Sequence, residues 1–380
     1  MCHARGAPVT VSMFAGFLED CDDTVVELSK LSIADSDHEV TVLEKFHEST
    51  RVTSARDYVL RRCNQTDLLL FDECYPDPLL KNCRKIGEGV YGEVFLWRAP
   101  DGLARVMKIV PIAGDIKVNG EHQKDYHEII SEIVIKKPIG KKTSRPFQVL
   151  TVRTVYGTYP SRLLDLWELF DEIKGSDNDN PASLPAHQQY VVLELANAGQ
   201  DLESYQFTGA EQAYAEPLVR LQVAFGLAVA EEAHQFEHRD LHWGNVLIAP
   251  TEQQYATFVL RGRLHRVPRG GVAATVIDYS LSRVSLGGGA RPAEVALYND
   301  LASDESLFAA VGDLNQWLNF EPYTNILWLH YVVDKMITAV RYKRTTSRAH
   351  KQHIAKLKGV RDRILSYGSA AQFVLTDNEY

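Results

Sequence analysis

A chain of 380 residues, 45% hydrophobic and 24% charged, has material for a large core and for more than one compact unit, so two lobes are the first expectation. A formal net charge of −9 argues against general nucleic-acid binding and suits a basic peptide partner. No apolar run approaches the roughly 18 residues of a membrane-spanning helix and the N-terminus has no clean apolar core, so neither a membrane span nor a signal peptide is expected.

Residues 1–80 read as an N-terminal extension, partly ordered. Acidic stretches (LEDCDD, ADSDHE) alternate there with short apolar segments. VTVLEKF suits the start of a strand or a helix, and TSARDYVLRRCNQTDLLLF reads as helical. Cys2, Cys21, Cys63, Cys74 and Cys83 are scattered without a C-x-x-C pair, which reads as free thiols in a reducing compartment rather than a zinc site.

From Cys83 the pattern changes. RKIGEGVYGEVFLWRAP predicts strand, turn, strand, and ARVMKIVPI a third strand. In DYHEIISEIVIKK, Ile129, Ile130, Ile133 and Val134 recur at helical spacing. QQYVVLEL is a further strand, ended by the small and polar ANAGQ. Beyond it AEPLVRLQVAFGLAVAEEAHQF predicts a long helix, ATFVLRGRLHRV and GVAATVIDY predict strands, and ILWLHYVVDKMITAVRYK and HIAKLKGVRDRILSYG predict C-terminal helices. The expected architecture is α+β and bilobal, protein-kinase-like: a strand-rich lobe over 81–196 and a helix-rich lobe over 197–380.

Four motifs carry the chemistry. Gly87-Glu88-Gly89-Val90-Tyr91-Gly92-Glu93-Val94 is a G-x-G-x-x-G-x-V run followed by a strand rather than a helix. Such a hairpin can lie over phosphates because backbone N–H groups come close where side chains are missing; alone it is equally an ordinary tight turn. Lys108 stands in an apolar strand sixteen residues after Gly92. A buried Lys needs a counter-charge, so it pairs with phosphates and a helix carboxylate, or else its amine reaches solvent at a strand edge. Glu132 is the expected carboxylate, with Glu128 one turn earlier; Ile133 and Val134 beside Glu132 mark the inward face. Asp240 and Asn245, five apart in FEHRDLHWGNVLI, match the D-x-x-x-x-N spacing of a kinase catalytic loop, with Asp240 as acceptor of the hydroxyl proton. Asn245 and Asp278, at the end of an apolar strand, offer the hard oxygens that Mg2+ prefers. Each residue alone has an ordinary structural use. Four motifs in this order, each in its expected setting, point to phosphoryl transfer from ATP.

The second His of the loop, His242, echoes the H-G-D-L-H-x-x-N loops of small-molecule phosphotransferases. Arg239 after His238 and the complete glycine hairpin favour a protein kinase. Loss of Lys108, Asp240, Asn245 or Asp278 would have pointed to a pseudokinase scaffold; all four are present. Asp278 is followed by Tyr279-Ser280 rather than Phe-Gly, and no A-P-E closure follows at the usual distance.

KIGEGVYGEVF, VNGEHQK, FEHRDLHWGNVLI, IDYSLSR, DESLF and YTNILWLHYVVDKM together closely resemble the haspin family of atypical histone kinases, over about residues 80–380. The resemblance implies the following. Lys108, Glu132 and Asp240 form the catalytic set, with Asn245 and Asp278 as metal ligands. ATP and Mg2+ are the cofactors. Ile86, Gly87, Glu88, Gly89, Val90, Tyr91, Gly92 and Val94 cover the nucleotide with Lys108; Leu195 is the gatekeeper; Ala196, Asn197, Ala198 and Gly199 form the hinge, and Asp201 faces ribose. Glu203, His242, Asp304 and Glu305 line an acidic groove for a basic histone tail, and the acceptor is a threonine near the N-terminus of histone three, phosphorylated in mitosis. A monomeric enzyme in the nucleus, on chromosomes, with no direct nucleic-acid or membrane contact, follows. Ser306 stands where many members have another acid, and GDLNQWLNF replaces the family's acidic, aromatic stretch.

Overall fold

The structure is a computed structural model and describes residues 54–99, 101–129, 133, 149–207, 218–279, 281–285, 296–297 and 319–377. The first lobe is built on a six-stranded sheet of order β1-β5-β6-β4-β3-β2. Its strands are β1 (Leu69–Leu70), β2 (Arg84–Gly89), β3 (Gly92–Arg98), β4 (Ala104–Ile112), β5 (Val149–Tyr156) and β6 (Gln189–Ala196). β2, β3 and β4 form the expected meander, β4 and β5 pair with β6, and β1 adds in parallel to β5.

Alternation along each strand divides the sheet into two buried faces. Phe95, Trp97, Met107, Ile109, Tyr190 and Val192 belong to one apolar cluster, closed by helix α2 (Ser161–Lys174) through Leu163 and Leu166. Val110, Ile112, Val191, Leu193 and Leu195 belong to the other cluster, shared with Ile129, Ile133 and the second lobe. Helix α1 (Ala55–Arg62) joins this inner face through Tyr58 and Val59. Ser54 Oγ caps α1 by accepting from Asp57 N at 3.1 Å, with Asp57 in the first turn and Arg61 and Arg62 in the last. Residues 55–80 are thus built into the first lobe. VTVLEKF lies outside the described residues.

The second lobe is built round α3 (Ala224–His234), entered through a wider π-turn over Leu218–Val223. Ala224, Phe225, Leu227, Ala228, Val229, Ala230 and Glu231 of α3 are all buried, which makes it the central helix of the lobe. Around it lie a sheet of β7 (Gln200–Asp201), β8 (Val246–Pro250) and β9 (Val272–Val276), with β8 central. The strand pair read from ATFVLRGRLHRV is a hairpin, Tyr255–Leu260 with Arg263–Pro268. Helices α4 (Tyr323–Thr338), α5 (Arg348–Ile364) and α6 (Ala370–Thr376) complete the lobe. The strand expected over GVAATVIDY ends at Val276, so Ile277 and Asp278 leave the sheet. The helix expected to run through VRYK ends at Thr338, and Arg341–Tyr342 instead pairs with Gln206–Phe207.

Glu231 ties three of these helices to the loop that follows α3. Its carboxylate accepts from the backbone N–H groups of Ala370 at 3.1 Å and Ala371 at 2.8 Å, at the start of α6, and from Asn325 Nδ2 of α4 at 2.9 Å. Asn325 Nδ2 also donates to Phe236 O at 2.9 Å, and Asn325 Oδ1 accepts from His238 N at 3.0 Å. A carboxylate at a helix N-terminus satisfies N–H groups that have no partner within the helix. Here it also fixes where residues 236–238 begin.

Candidate active site

The loop 236–245 is held by charge and by backbone at every step. Glu237 and Arg283 exchange both backbone hydrogen bonds, at 3.0 and 2.9 Å. His238 is fully buried, which lowers its ring to about 4 and keeps it neutral. Ile277 O sits 2.9 Å from His238 Nε2, and a carbonyl can only accept, so this nitrogen carries the proton. His238 Nδ1 is then the acceptor facing Asp240 N at 3.3 Å. Arg239 takes a left-handed backbone, φ 63°, and Asp278 does the same at φ 58°. Non-glycine residues in this region carry strain that their surroundings must hold, and both lie in the expected catalytic segments.

Asp240 and Asn245 meet as their spacing requires. Asn245 Nδ2 donates to Asp240 O at 2.8 Å and approaches Asp240 Oδ2 at 3.4 Å. Its amide orientation leaves Oδ1 as the atom able to face a cation. Burial raises the Asp240 carboxyl; the nearby His242 opposes this, the Asp278 carboxylate adds to it, and the Asn245 hydrogen bond opposes it. Two carboxylates that disfavour each other's ionisation, with an amide oxygen beside them, suit a divalent cation. Asn245 N donates to His242 O, and Ile277 N to Asn245 O, both at 2.9 Å, so the Asp278 segment is tied to the Asn245 segment.

Tyr279 stands where many kinases carry Phe. Its ring lies 5.7 Å from Phe236 and 5.6 Å from His238, edge-on to both, and its hydroxyl donates to Val276 O at 2.9 Å. The hydroxyl gives this aromatic anchor a hydrogen bond that Phe could not make. Phe236-Glu237 and Tyr279 thus form one buried unit behind Asp240 and Asp278.

On the first lobe, Lys108 lies on β4 opposite Val94 of β3 and Leu193 of β6, on the inner sheet face. Ile129 and Ile133, two of the four residues of the expected inward stripe, are buried at 0% and 2% exposure, and Ile130 and Val134 lie outside the described residues. Glu128 caps the helix start, its Oε2 accepting from Asp125 N at 2.7 Å. Glu132 lies outside the described residues. In the glycine hairpin Gly87 pairs with Val94, and Gly89 with Gly92. A Cβ on Gly92 would come within 2.0 Å of Ile109 O, so close approach of β3 to β4 demands glycine there. Ile86, Gly87, Gly89, Val90, Tyr91 and Val94 line the same hairpin. Glu88 is turned to the outer side, where it accepts from Ser176 Oγ at 2.7 Å and Asp177 N at 2.9 Å and pairs with Lys85. What Glu88 can offer a nucleotide is therefore its backbone.

Between the lobes Leu195, 4% exposed, is followed by Ala196 at the end of β6, and Asn197, Ala198 and Gly199 lead to β7. Gly199 has φ 100°, and a Cβ there would meet Ile248 O at 2.0 Å. Asp201 on β7 accepts from Ser204 N at 2.7 Å and is half-buried. Glu203 is exposed. The phenol of Tyr331 on α4 is raised by burial and further by the charges of Glu203 and Asp240, and Glu203 Oε2 would lie 3.9 Å from a Cβ on Gly244, in the loop that carries Asp240. His242 Nδ1 accepts from Gly244 N at 3.1 Å. Asp304 and Glu305, with Ser280, Ser306 and most of GDLNQWLNF, lie outside the described residues.

Sequence reasoning missed three groups: the buried ion pairs of Glu237, the Tyr331 neighbour of Asp240, and the Lys85 cluster on the outer hairpin face. Only the first had a signal, an acid next to the His-Arg-Asp triplet.

A glycine hairpin and strand lysine on one lobe, and an Asp-Asn loop with a strand-end Asp on the other, define the protein-kinase-like class. The chain matches the haspin like kinase domain over residues 45–372. It is 37% identical over 339 residues to the serine/threonine-protein kinase haspin homolog of Drosophila melanogaster, covering 82% of this chain and 58% of that protein. It is 32% identical over 391 residues to the serine/threonine-protein kinase haspin of Mus musculus, covering 96% and 51%. With the haspin homolog of Arabidopsis thaliana it shares 34% over 325 residues, covering 79% and 50%. The chain belongs to the haspin kinase family. It spans about half the length of the curated relatives it matches.

Proposed function

We propose that this chain is an ATP-dependent serine/threonine protein kinase acting on a threonine near the N-terminus of histone three. The observation that carries the kinase reading is the Asp240–Asn245 unit beside Asp278, facing a lobe that presents Lys108 under a glycine hairpin. In the proposed reaction the acceptor hydroxyl gives its proton to Asp240. Its oxygen forms a bond to the γ-phosphorus as the bond from that phosphorus to the β–γ bridging oxygen breaks, and ADP leaves. Lys108 steadies the phosphates. Asn245 Oδ1 and the Asp278 carboxylate are the groups that would hold Mg2+, which when bound offsets charge on the phosphates.

The histone reading rests on the family resemblance and on electrostatics. Glu203 Oε2 would lie 3.9 Å from a Cβ on Gly244, in the loop that carries Asp240, and His242 is the other neighbour expected at the peptide. An exposed acid near the attacking hydroxyl suits a peptide carrying Arg or Lys. Action on chromosomes in the nucleus, in mitosis and as a monomer, belongs to the same proposal.

The test is transfer of labelled phosphate from ATP, with magnesium, to a histone three tail peptide and to generic protein substrates, with Asp240→Asn as control. Transfer to the tail peptide by the wild type alone is expected. Transfer only to generic substrates removes the histone reading. No transfer to either leaves a binding scaffold.

A further inference from the structure

The stretch VNGEHQK and the segment after α2 are given no role by the reaction, yet they meet on the outer side of the glycine hairpin. Asn119 Nδ2 donates to Val90 O at 2.9 Å, and Asn178 Nδ2 donates to Gly89 O at 3.1 Å. The two asparagines belong to one unit. Asn119 N donates to Asp179 Oδ2 at 2.8 Å, and Asp179 N donates to Asn119 Oδ1 at 2.7 Å. Asn178 Nδ2 also donates to Glu93 Oε1 at 2.8 Å. Below this the buried Lys85 amine lies between Glu88 and Glu93, 2.8 Å from Glu93 Oε2 and 3.9 Å from the Phe170 ring centre.

We infer that Asn119 and Asn178 are positioning residues that preset the glycine hairpin for the phosphates of the nucleotide. The inference rests on the nucleotide reading of that hairpin. A trans peptide is planar, and its C=O and N–H point in opposite directions. Gly89 O shares its peptide with Val90 N–H, and Val90 O shares its peptide with Tyr91 N–H. Drawing both carbonyls outward turns those two N–H groups to the opposite side of the hairpin tip. Donors already aimed at the site of negative charge need no reorganisation when the charge arrives. Without the clamp, a glycine-rich tip would sample many backbone states, and binding would have to select one of them.

The clamp is itself anchored to the sheet. Asn119 sits at φ 54° with Gly120 at φ 81°, a turn closed by paired backbone hydrogen bonds between Val118 and Glu121. Asn and Gly are the residues that tolerate this geometry. At the base of the same loop Ala113 N donates to Lys124 O at 3.0 Å, and Gln188 Nε2 donates to Ile112 O at 2.9 Å and to Gln123 Oε1 at 2.7 Å.

The experiment compares ATP with adenosine, which lacks phosphates, on the wild-type chain, on Asn119→Gly, on Asn178→Ala and on the double variant. Asn119→Gly keeps the left-handed turn and removes only the amide, so it retains the fold. The double variant is expected to raise the Kd and the KM for ATP roughly tenfold, and each single variant roughly threefold. Adenosine Kd stays within about twofold and kcat within about threefold, because hinge contacts and Asp240 are untouched. An unchanged ATP Kd, an equal loss for ATP and adenosine, or a fall in kcat at constant KM would overturn the inference. A wild-type chain that binds no ATP removes the nucleotide reading itself, before any variant is made.

Discussion

Glu237 and Arg239, two residues apart in one loop, close on each other inside the protein. Arg239 Nε and Nη2 donate to the Glu237 carboxylate at 3.3 and 3.2 Å, with side-chain exposures of 5% and 1%. Thr324 Oγ1 and Glu321 N donate to the same carboxylate at 3.0 Å each, and Arg283 Nε lies 3.7 Å away. In many kinases an arginine cluster waits for a phosphate on the activation loop, and the new ion pairs order that loop. Here a built-in carboxylate occupies Arg239 and Arg283. Protein treated with phosphatase is therefore expected to keep its activity, measured as transfer rate before and after treatment; loss of activity would sink the idea.

Removing this carboxylate takes from two buried guanidinium groups the ion pair each makes with Glu237. Breaking a buried ion pair from one side costs about 3–5 kcal/mol. Glu237→Gln is expected to fall in that range by urea denaturation and to lower activity as the loop loosens. A loss below about 1 kcal/mol would show that the network carries little.

Asp240→Asn removes the proposed proton acceptor but also relieves the repulsion between the Asp240 and Asp278 carboxylates. The expected result is a fall in kcat of at least about 10²-fold with no loss of thermal stability. A drop in Tm alongside the lost activity would assign Asp240 a structural role instead.

Two glycines make opposite predictions. Gly199→Ala forces a side chain into a positive-φ residue facing Ile248 O, and should cost more than about 2 kcal/mol in a denaturation series. A Cβ on Gly87 would meet nothing within 4 Å. Gly87→Ala should then leave Tm within about 2 °C while raising KM for ATP, because only bound phosphates need the space.

Glu231 sets a pH dependence of stability. Burial pushes its carboxyl up to about 7, against the hydrogen bonds from Asn325, Ala371 and Ala370. A folded pKa above the unfolded value near 4.5 means stability that is complete below about 4.5 and is lost as pH rises to about 7. Glu231→Gln cannot ionise, so the stability of the variant relative to wild type should climb between pH 5 and pH 7.5. A constant difference across that window would show that Glu231 is ionised throughout.

The candidate site of this protein was legible in its sequence because it lies in short, ordered motifs. The glycine run, Lys108, the Asp240–Asn245 spacing and Asp278 each carry their meaning within a few residues, and alternation placed the strands beneath them. Helix α2 went unassigned although Leu163, Leu166 and Trp167 follow its turn, and the use of Glu88, Asn119 and Asn178 could not be read at all. Those side chains act across 29 to 89 positions of chain, a separation at which local pattern holds no information. Burial decided the rest. Nothing in the sequence named the partners of Glu237, Glu231 and Lys85, and only the folded structure, by removing water and bringing those partners in, makes them buried ties.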